Sequence, residues 1–137
     1  MSEVRQLDEQ TLVSGQIQPG DVAGLVRDGV TMIVNNRPDD EDAGQPRSAD
    51  IEAAAHAAGI AYRHIPIRRG IGPSDVEAMG EAIDELGDGK MLAFCRSGNR
   101  STLVWAVARY DAGVPREKLE ECAAGAGVSL GPVAHLL

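Results

Sequence analysis

The chain has 137 residues, 43% of them hydrophobic and 25% charged, and a formal net charge of -8 at neutral pH. That length suffices to bury a core within one domain covering residues 1–137. The acidic balance excludes a general nucleic-acid binder, whose affinity rests on neutralising phosphates, and Tyr62, Phe94, Trp105 and Tyr110 are too few to stack bases.

In chain order, "TLVSG" (11–15) is a short strand candidate. "QPGDVAGLVRDG" (18–29) reads as a short helix, with Pro19 in its first turn, Val22, Leu25 and Val26 inward and Gly29 as the stop. "VTMIVNN" (30–36) is β-branched and apolar, a buried strand. "RPDDEDAGQPR" (37–47) is a polar loop, after which Ser48 is placed to cap the helix "ADIEAAAHAA" (49–58) that Gly59 ends. "IAYRHIPI" (60–67) is the next strand and "RRGIGP" (68–73) a loop. Ser74 or a neighbour opens the helix "DVEAMGEAIDEL" (75–86), where Val76, Met79, Ile83 and Leu86 form one apolar stripe. "MLAFC" (91–95) is a short apolar strand, and "RSTLVWAVARYDAG" (100–113) the helix after it. Pro115 starts another helix, "REKLEECAA" (116–124), and "SLGPVAHLL" (129–137) ends the chain as a short helix on the core.

Strand and helix alternate, so the expected fold is α/β, a mainly parallel central sheet of four to five strands with helices on both faces. Ligand sites in such sheets lie beyond the carboxyl ends of the strands. The segments "NNRPDD", "IRRGIG" and "CRSGNRS" therefore meet at one edge and put the arginines on one rim.

No apolar run approaches the roughly 20 residues of a membrane span, and "MSEVRQLDEQ" lacks a leader pattern. The expectation is a cytoplasmic protein with no membrane or nucleic-acid partner. Cys95 and Cys122 read as reduced thiols, since a domain of this size needs no disulfide. The histidines are scattered, so no metal site or cofactor is expected.

The candidate site is the loop from Cys95 to Ser101. A strand-to-helix junction offers unpaired N–H groups and the positive end of the helix dipole, both of which attract an anion. Both also favour the ionised, nucleophilic form of a cysteine held there. Ser97 and Gly98 suit a tight loop whose N–H groups converge, with Asn99 completing it. Arg100 presents a two-pronged donor to an oxyanion, Arg96 stands at the rim, and Ser101 is placed to donate to the sulfur. Arg37, Arg68 and Arg69 are further candidates for binding the substrate, their plainer reading being solvated loop charges. Cys122, in "LEECAAG", has no cationic neighbours and reads as core packing.

"CRSGNRS" resembles the active-site loop of rhodanese sulfurtransferases, Cys-x-x-Gly-x-Arg. The segments "VSGQIQPGDVAGLVRDGVTMIVNNRPDDE", "GQPRSADIEAAAHAAGIAYRHIPI" and "LAFCRSGNRST" resemble the bacterial beta-lactamase-hydrolase-like, phosphatase-like domain family. The resemblance implies a cysteine-phosphatase-like fold and an activity labelled either phosphatase or sulfurtransferase. Cysteine phosphatases carry a His before the cysteine and one more residue before the arginine. Here Phe94 replaces that His, and four residues, Arg96 to Asn99, separate Cys95 from Arg100. Those enzymes also place an acidic Asp after the preceding strand, a contribution of about 10²–10⁴-fold. Arg68 and Arg69 occupy that place, and Asp75 reads as a charge favourable at a helix N-terminus.

These departures lead to the expectation of a sulfurtransferase. Cys95 would take sulfane sulfur from a small anionic donor, thiosulfate or glutathione persulfide, and pass it as a persulfide to a thiol or other nucleophilic acceptor. Cys95, Arg100 and Ser101 would be the catalytic residues. A persulfide-oxidising enzyme is a conceivable partner. The alternatives are a phosphatase working through phosphocysteine and a non-catalytic thiol sensor of redox state or anions.

Overall fold

The computed structural model describes residues 3–137; Met1 and Ser2, the start of the segment read for a leader, lie outside them. Five strands form one sheet: β1 (Arg5–Gln6), β2 (Thr11–Ser14), β3 (Met32–Asn35), β4 (Ala61–His64) and β5 (Met91–Phe94). The spatial order is β1-β2-β5-β3-β4. β1 pairs antiparallel with β2 and every other pairing is parallel. The helices are α1 (Val22–Arg27), α2 (Ser48–Ala57), α3 (Pro73–Leu86), α4 (Asn99–Asp111) and α5 (Arg116–Gly125). A 3₁₀ turn, Pro19–Asp21, leads into α1, and a second, Gly131–Leu136, stands in place of the last helix.

Alternation along the strands divides the core in two. Val13, Met32, Val34, Met91 and Ala93 pack against Met79, Val104 and Leu119 of α3, α4 and α5. Ile33, Leu92 and Phe94 face the other way, onto Leu25 of α1 and Ile51 and Ala55 of α2. The parallel strands are covered on both sides, which is why they read as continuous apolar runs. α4 buries Val104 through Ala108 without a break and runs through the larger core. Of the stripe on α3, Met79 is fully buried, while Val76, Ile83 and Leu86 are partly so. Among the described residues no helix is long and apolar enough to cross a membrane.

One cap differs from expectation. Ser48 is the first helical residue of α2, and its N–H is capped from outside by the Asp39 carboxylate at 2.8 Å. Its hydroxyl instead lies 2.6 Å from the Tyr62 hydroxyl, whose titration is pushed up by burial. α3 opens at Pro73, the neighbour of Ser74, with Gly72 as the N-cap and the Gly72 N–H donating to Asp75 at 2.9 Å. β4 is shorter than the apolar run suggests, because Pro66 has no N–H to continue the ladder. Ile65 and Ile67 still donate to the carbonyls of Asn35 and Asn36 at 2.9 and 3.0 Å, so the chain stays alongside β3.

The register pairs Asn35 with both His64 and Phe94, and Ser14 with Phe94. The carboxyl ends of β2, β3, β4 and β5 are therefore level, and the segments that follow them meet along one edge.

Candidate active site

Cys95 follows β5 directly and has 0% of its surface exposed. The chain turns through Arg96 and Ser97 to Gly98, the N-cap of α4, whose φ of 96° an L side chain rarely adopts. That conformation returns the Gly98 N–H to Cys95 Sγ at 3.1 Å. Thr102 Oγ1 donates to the Gly98 carbonyl at 2.9 Å, and Arg5 Nη2 to the Ser97 carbonyl at 2.6 Å. Arg5 also donates to the Ala126 carbonyl at 2.7 Å, tying the cradle to the end of α5. Asn99 is exposed, and its N–H lies 3.4 Å from Ser97 Oγ.

A Cβ at position 98 would collide with the Arg5 guanidinium and press on the Ser14 carbonyl at 3.4 Å. Gly98→Ala is expected to destabilise the fold by about 1–2 kcal/mol from the backbone conformation alone. It should also slow alkylation of Cys95 relative to wild type by displacing the backbone N–H that now lies 3.1 Å from Sγ. Equal stability and equal alkylation rates would refute this account of the cradle.

Arg100, in the first turn of α4, donates to both carboxylate oxygens of Glu41 at 2.7 and 2.8 Å and to the Ile67 carbonyl at 2.8 Å. Its charge is held more firmly by Glu41 first and by Cys95 second. Glu41 also accepts from Arg37 Nε at 2.9 Å. Arg37 is not a solvated loop charge: it is 4% exposed, with its remaining nitrogens on Gln16 at 3.0 Å and Asp42 at 2.6 Å. Asp42 lies 3.5 Å from exposed Arg96. Two carboxylates of the 37–47 loop thus reach Arg37, Arg96 and Arg100.

The two-pronged bond from Arg100, seconded by Arg37, outweighs burial and lowers the Glu41 carboxyl to about 2 from its ordinary 4.5. Because the folded value lies below the unfolded one, the stability from this contact is full above about pH 4.5 and lost as pH falls toward 2. Urea midpoints of wild type and Glu41→Gln should converge across that window. Parallel curves would mean that the contact does not form in solution.

Ser101 does not serve the sulfur: its buried hydroxyl donates to Asn36 Oδ1 at 2.7 Å. Asn36 in turn donates to the Ile65 carbonyl at 3.1 Å, so this pair joins α4 to the ends of β3 and β4. Arg63, on β4, is drawn to Glu85 of α3 and away from the cradle. Arg68 and Arg69 are exposed beyond β4, and among the described residues neither has a hydrogen-bond or ion-pair partner. Cys122 is partly buried against the core of α4 and α5. Reading the sequence missed Glu41, Asp42 and Arg5; the run "DDED" opposite the arginines was the available signal for the first two.

Residues 3–113 match the family described as beta-lactamase hydrolase-like protein, phosphatase-like domain. The beta-lactamase hydrolase-like protein of Xylella fastidiosa is 32% identical over 127 residues, 91% of this chain and 29% of that protein. The chain therefore spans less than a third of the curated relatives it matches, 29% there and 27% for the Agrobacterium fabrum protein. A solved structure from Neisseria meningitidis, provisionally named a phosphatase, is 34% identical with a TM-score of 0.76, covering 93% of this chain and 90% of that one. Kinase-associated phosphatase, whose catalytic-site residue is a cysteine, shares the fold with a TM-score of 0.77 at 16% identity, covering 98% and 92%.

Proposed function

The chain belongs to the beta-lactamase hydrolase-like, phosphatase-like domain family, and on that premise we propose that Cys95 is the nucleophile of a group-transfer enzyme whose cargo is sulfane sulfur. The fold is that of the cysteine phosphatases, and the names of its relatives favour phosphate-ester hydrolysis over sulfur transfer. The observation carrying our reading is the state of the carboxyls around the cradle. Glu41 is ionised down to about pH 2 and Asp42 is bound to two arginines. Asp75, the acid nearest the expected place in sequence, is engaged with the Gly72 N–H. All three are engaged by N–H donors, which supports a leaving group that needs no general acid. A departing sulfite or thiolate is such a leaving group.

In the first half-reaction the Cys95 thiolate attacks the outer sulfur of the donor. An S–S bond forms at Sγ, the donor's own S–S bond breaks, and sulfite or a thiolate leaves with the electron pair. The Gly98 N–H, already on Sγ, steadies the negative charge of the resulting persulfide. An acceptor thiolate then takes the outer sulfur and returns Cys95 to a thiolate, giving ping-pong kinetics. The acceptor is a thiol, free or presented by a persulfide-oxidising enzyme.

Phosphate-ester hydrolysis is the second reading, supported by the family and the shared fold, and activated esters need little help from an acid. One experiment separates the two. Reduced protein is incubated with thiosulfate or glutathione persulfide and weighed intact, and turnover of a phenyl phosphate is measured alongside. Sulfur transfer predicts a gain of one sulfur, removed by thiol. Absence of that gain, with Cys95-dependent release of phosphate, would establish the phosphatase.

A further inference from the structure

We propose that a cleft beside Arg100 seats the remote end of an organic sulfur donor or acceptor that carries carboxylates. The cleft, of about 410 Å³, is lined by Arg68, Arg69, Arg100 and His135, with apolar walls that include Leu103 and Val133. Its volume is within the range of small-ligand sites, about 300–1,000 Å³.

Three features point to this occupant. Two cations of the cleft are available: Arg37, Arg96 and Arg100 are all bound to Glu41 or Asp42, whereas Arg68 and Arg69 have no partner among the described residues. Among the described residues no acidic one lines the cleft, in a protein of net charge -8. The neighbouring groove between α3 and α4, about 490 Å³, carries Glu77, Asp84 and Asp111, so the absence of carboxylates is particular to this cleft. Clefts of one sign with low-dielectric walls concentrate ligands of the opposite sign.

The second feature is continuity with the chemistry. Arg100 and Ile67 both line the cleft, and they are bonded to each other at the cradle. A ligand in the cleft can therefore direct one end toward Cys95. The third is the balance of charge at the cradle itself. Arg37, Arg96 and Arg100 already face Glu41 and Asp42, so a dianionic reacting end competes there with two carboxylates. A persulfide end carries at most one charge, and its carboxylates are accommodated by Arg68 and Arg69 instead. The apolar walls suit a carbon body better than an inorganic anion.

The inference rests on the sulfur-transfer reading for the reacting end. In the balanced step, Cys95–S⁻ and R–S–SH give Cys95–S–SH and R–S⁻. The S–S bond between R–S and the outer sulfur breaks, its electron pair stays on R–S⁻, and the proton travels with the sulfur that moves.

The test uses S-methylglutathione, an unreactive thioether with two carboxylates, and its dimethyl ester. Binding of each to the full chain is followed by amide chemical shifts, for wild type and for Arg68→Ser/Arg69→Ser. The acid should bind wild type at least about tenfold more tightly than the ester, with shifts centred on residues 67–72 and 132–136, and the double variant should lose that preference. Equal binding of acid and ester, binding of neither, or a preference that survives the double substitution would each overturn the proposal. The readout needs no turnover. If Cys95 never acquires sulfur yet the acid still binds here, it is the sulfur-transfer reading that fails, and the recognition of carboxylates stands.

Discussion

Cys95→Ser should reduce turnover by at least about 10⁴-fold, the scale of nucleophile removal in enzymes whose groups act as a unit. The serine oxygen would occupy nearly the same volume at the end of β5 and could still accept the Gly98 N–H, now 3.1 Å from Sγ. The melting midpoint should therefore move by only a few degrees, which for a domain of this size is about 1 kcal/mol. An alcohol at neutral pH without an adjacent base is a weak nucleophile, and no base is hydrogen-bonded to position 95 among the described residues. The variant should gain no sulfur from either donor in intact-mass measurements. Retained turnover in a correctly folded variant would remove Cys95 from the mechanism and leave sulfur transfer and phosphate hydrolysis equally without a nucleophile.

Arg100→Lys should lower kcat/KM by about 10²–10³-fold, the usual cost of losing one aligned donor to developing negative charge. The guanidinium makes three hydrogen bonds at once, two to Glu41 and one to the Ile67 carbonyl. A lysine keeps the charge but lacks the planar fork, so it cannot hold the 37–47 loop and the end of β4 together in one geometry. Arg100 is also the leading cause of the low Glu41 titration. In the variant, the acid-induced loss of stability should accordingly flatten between about pH 4.5 and 2. Steady-state kinetics and urea unfolding against pH, on the same preparation, test both halves. A lysine variant with wild-type kcat/KM would show that charge alone suffices at this position.

What the sequence made legible was local. "MLAFC" followed by "RSGNRST" announces a strand, a turn and a helix within a dozen residues, and the alternating topology places the cradle at the sheet edge. The alternation of strands and helices likewise carries the parallel sheet and its two covered faces. Interactions between distant segments were not legible. Glu41 reaches Arg100 across 59 positions and Arg5 reaches Ser97 across 92, and no local pattern encodes either meeting. β1 is two residues long, too short for any period to register. Ser101 was expected at the sulfur because a hydroxyl there has the right reach; the competing acceptor, Asn36, lies 65 positions away. Arg37 was read as exposed because loop arginines usually are, and its burial follows from two acidic neighbours and Gln16 that fold over it.

The complete burial of Cys95 has a further consequence. A sulfur with no open surface meets its partners only when the surrounding wall parts, so each turnover of the proposed reaction would include a local opening far smaller than global unfolding. The same opening is the only route by which peroxide or a stray thiol can enter. On the proposed mechanism, catalytic rate and resistance to oxidation would share one breathing motion, and a change that loosens the wall to hasten the first would weaken the second.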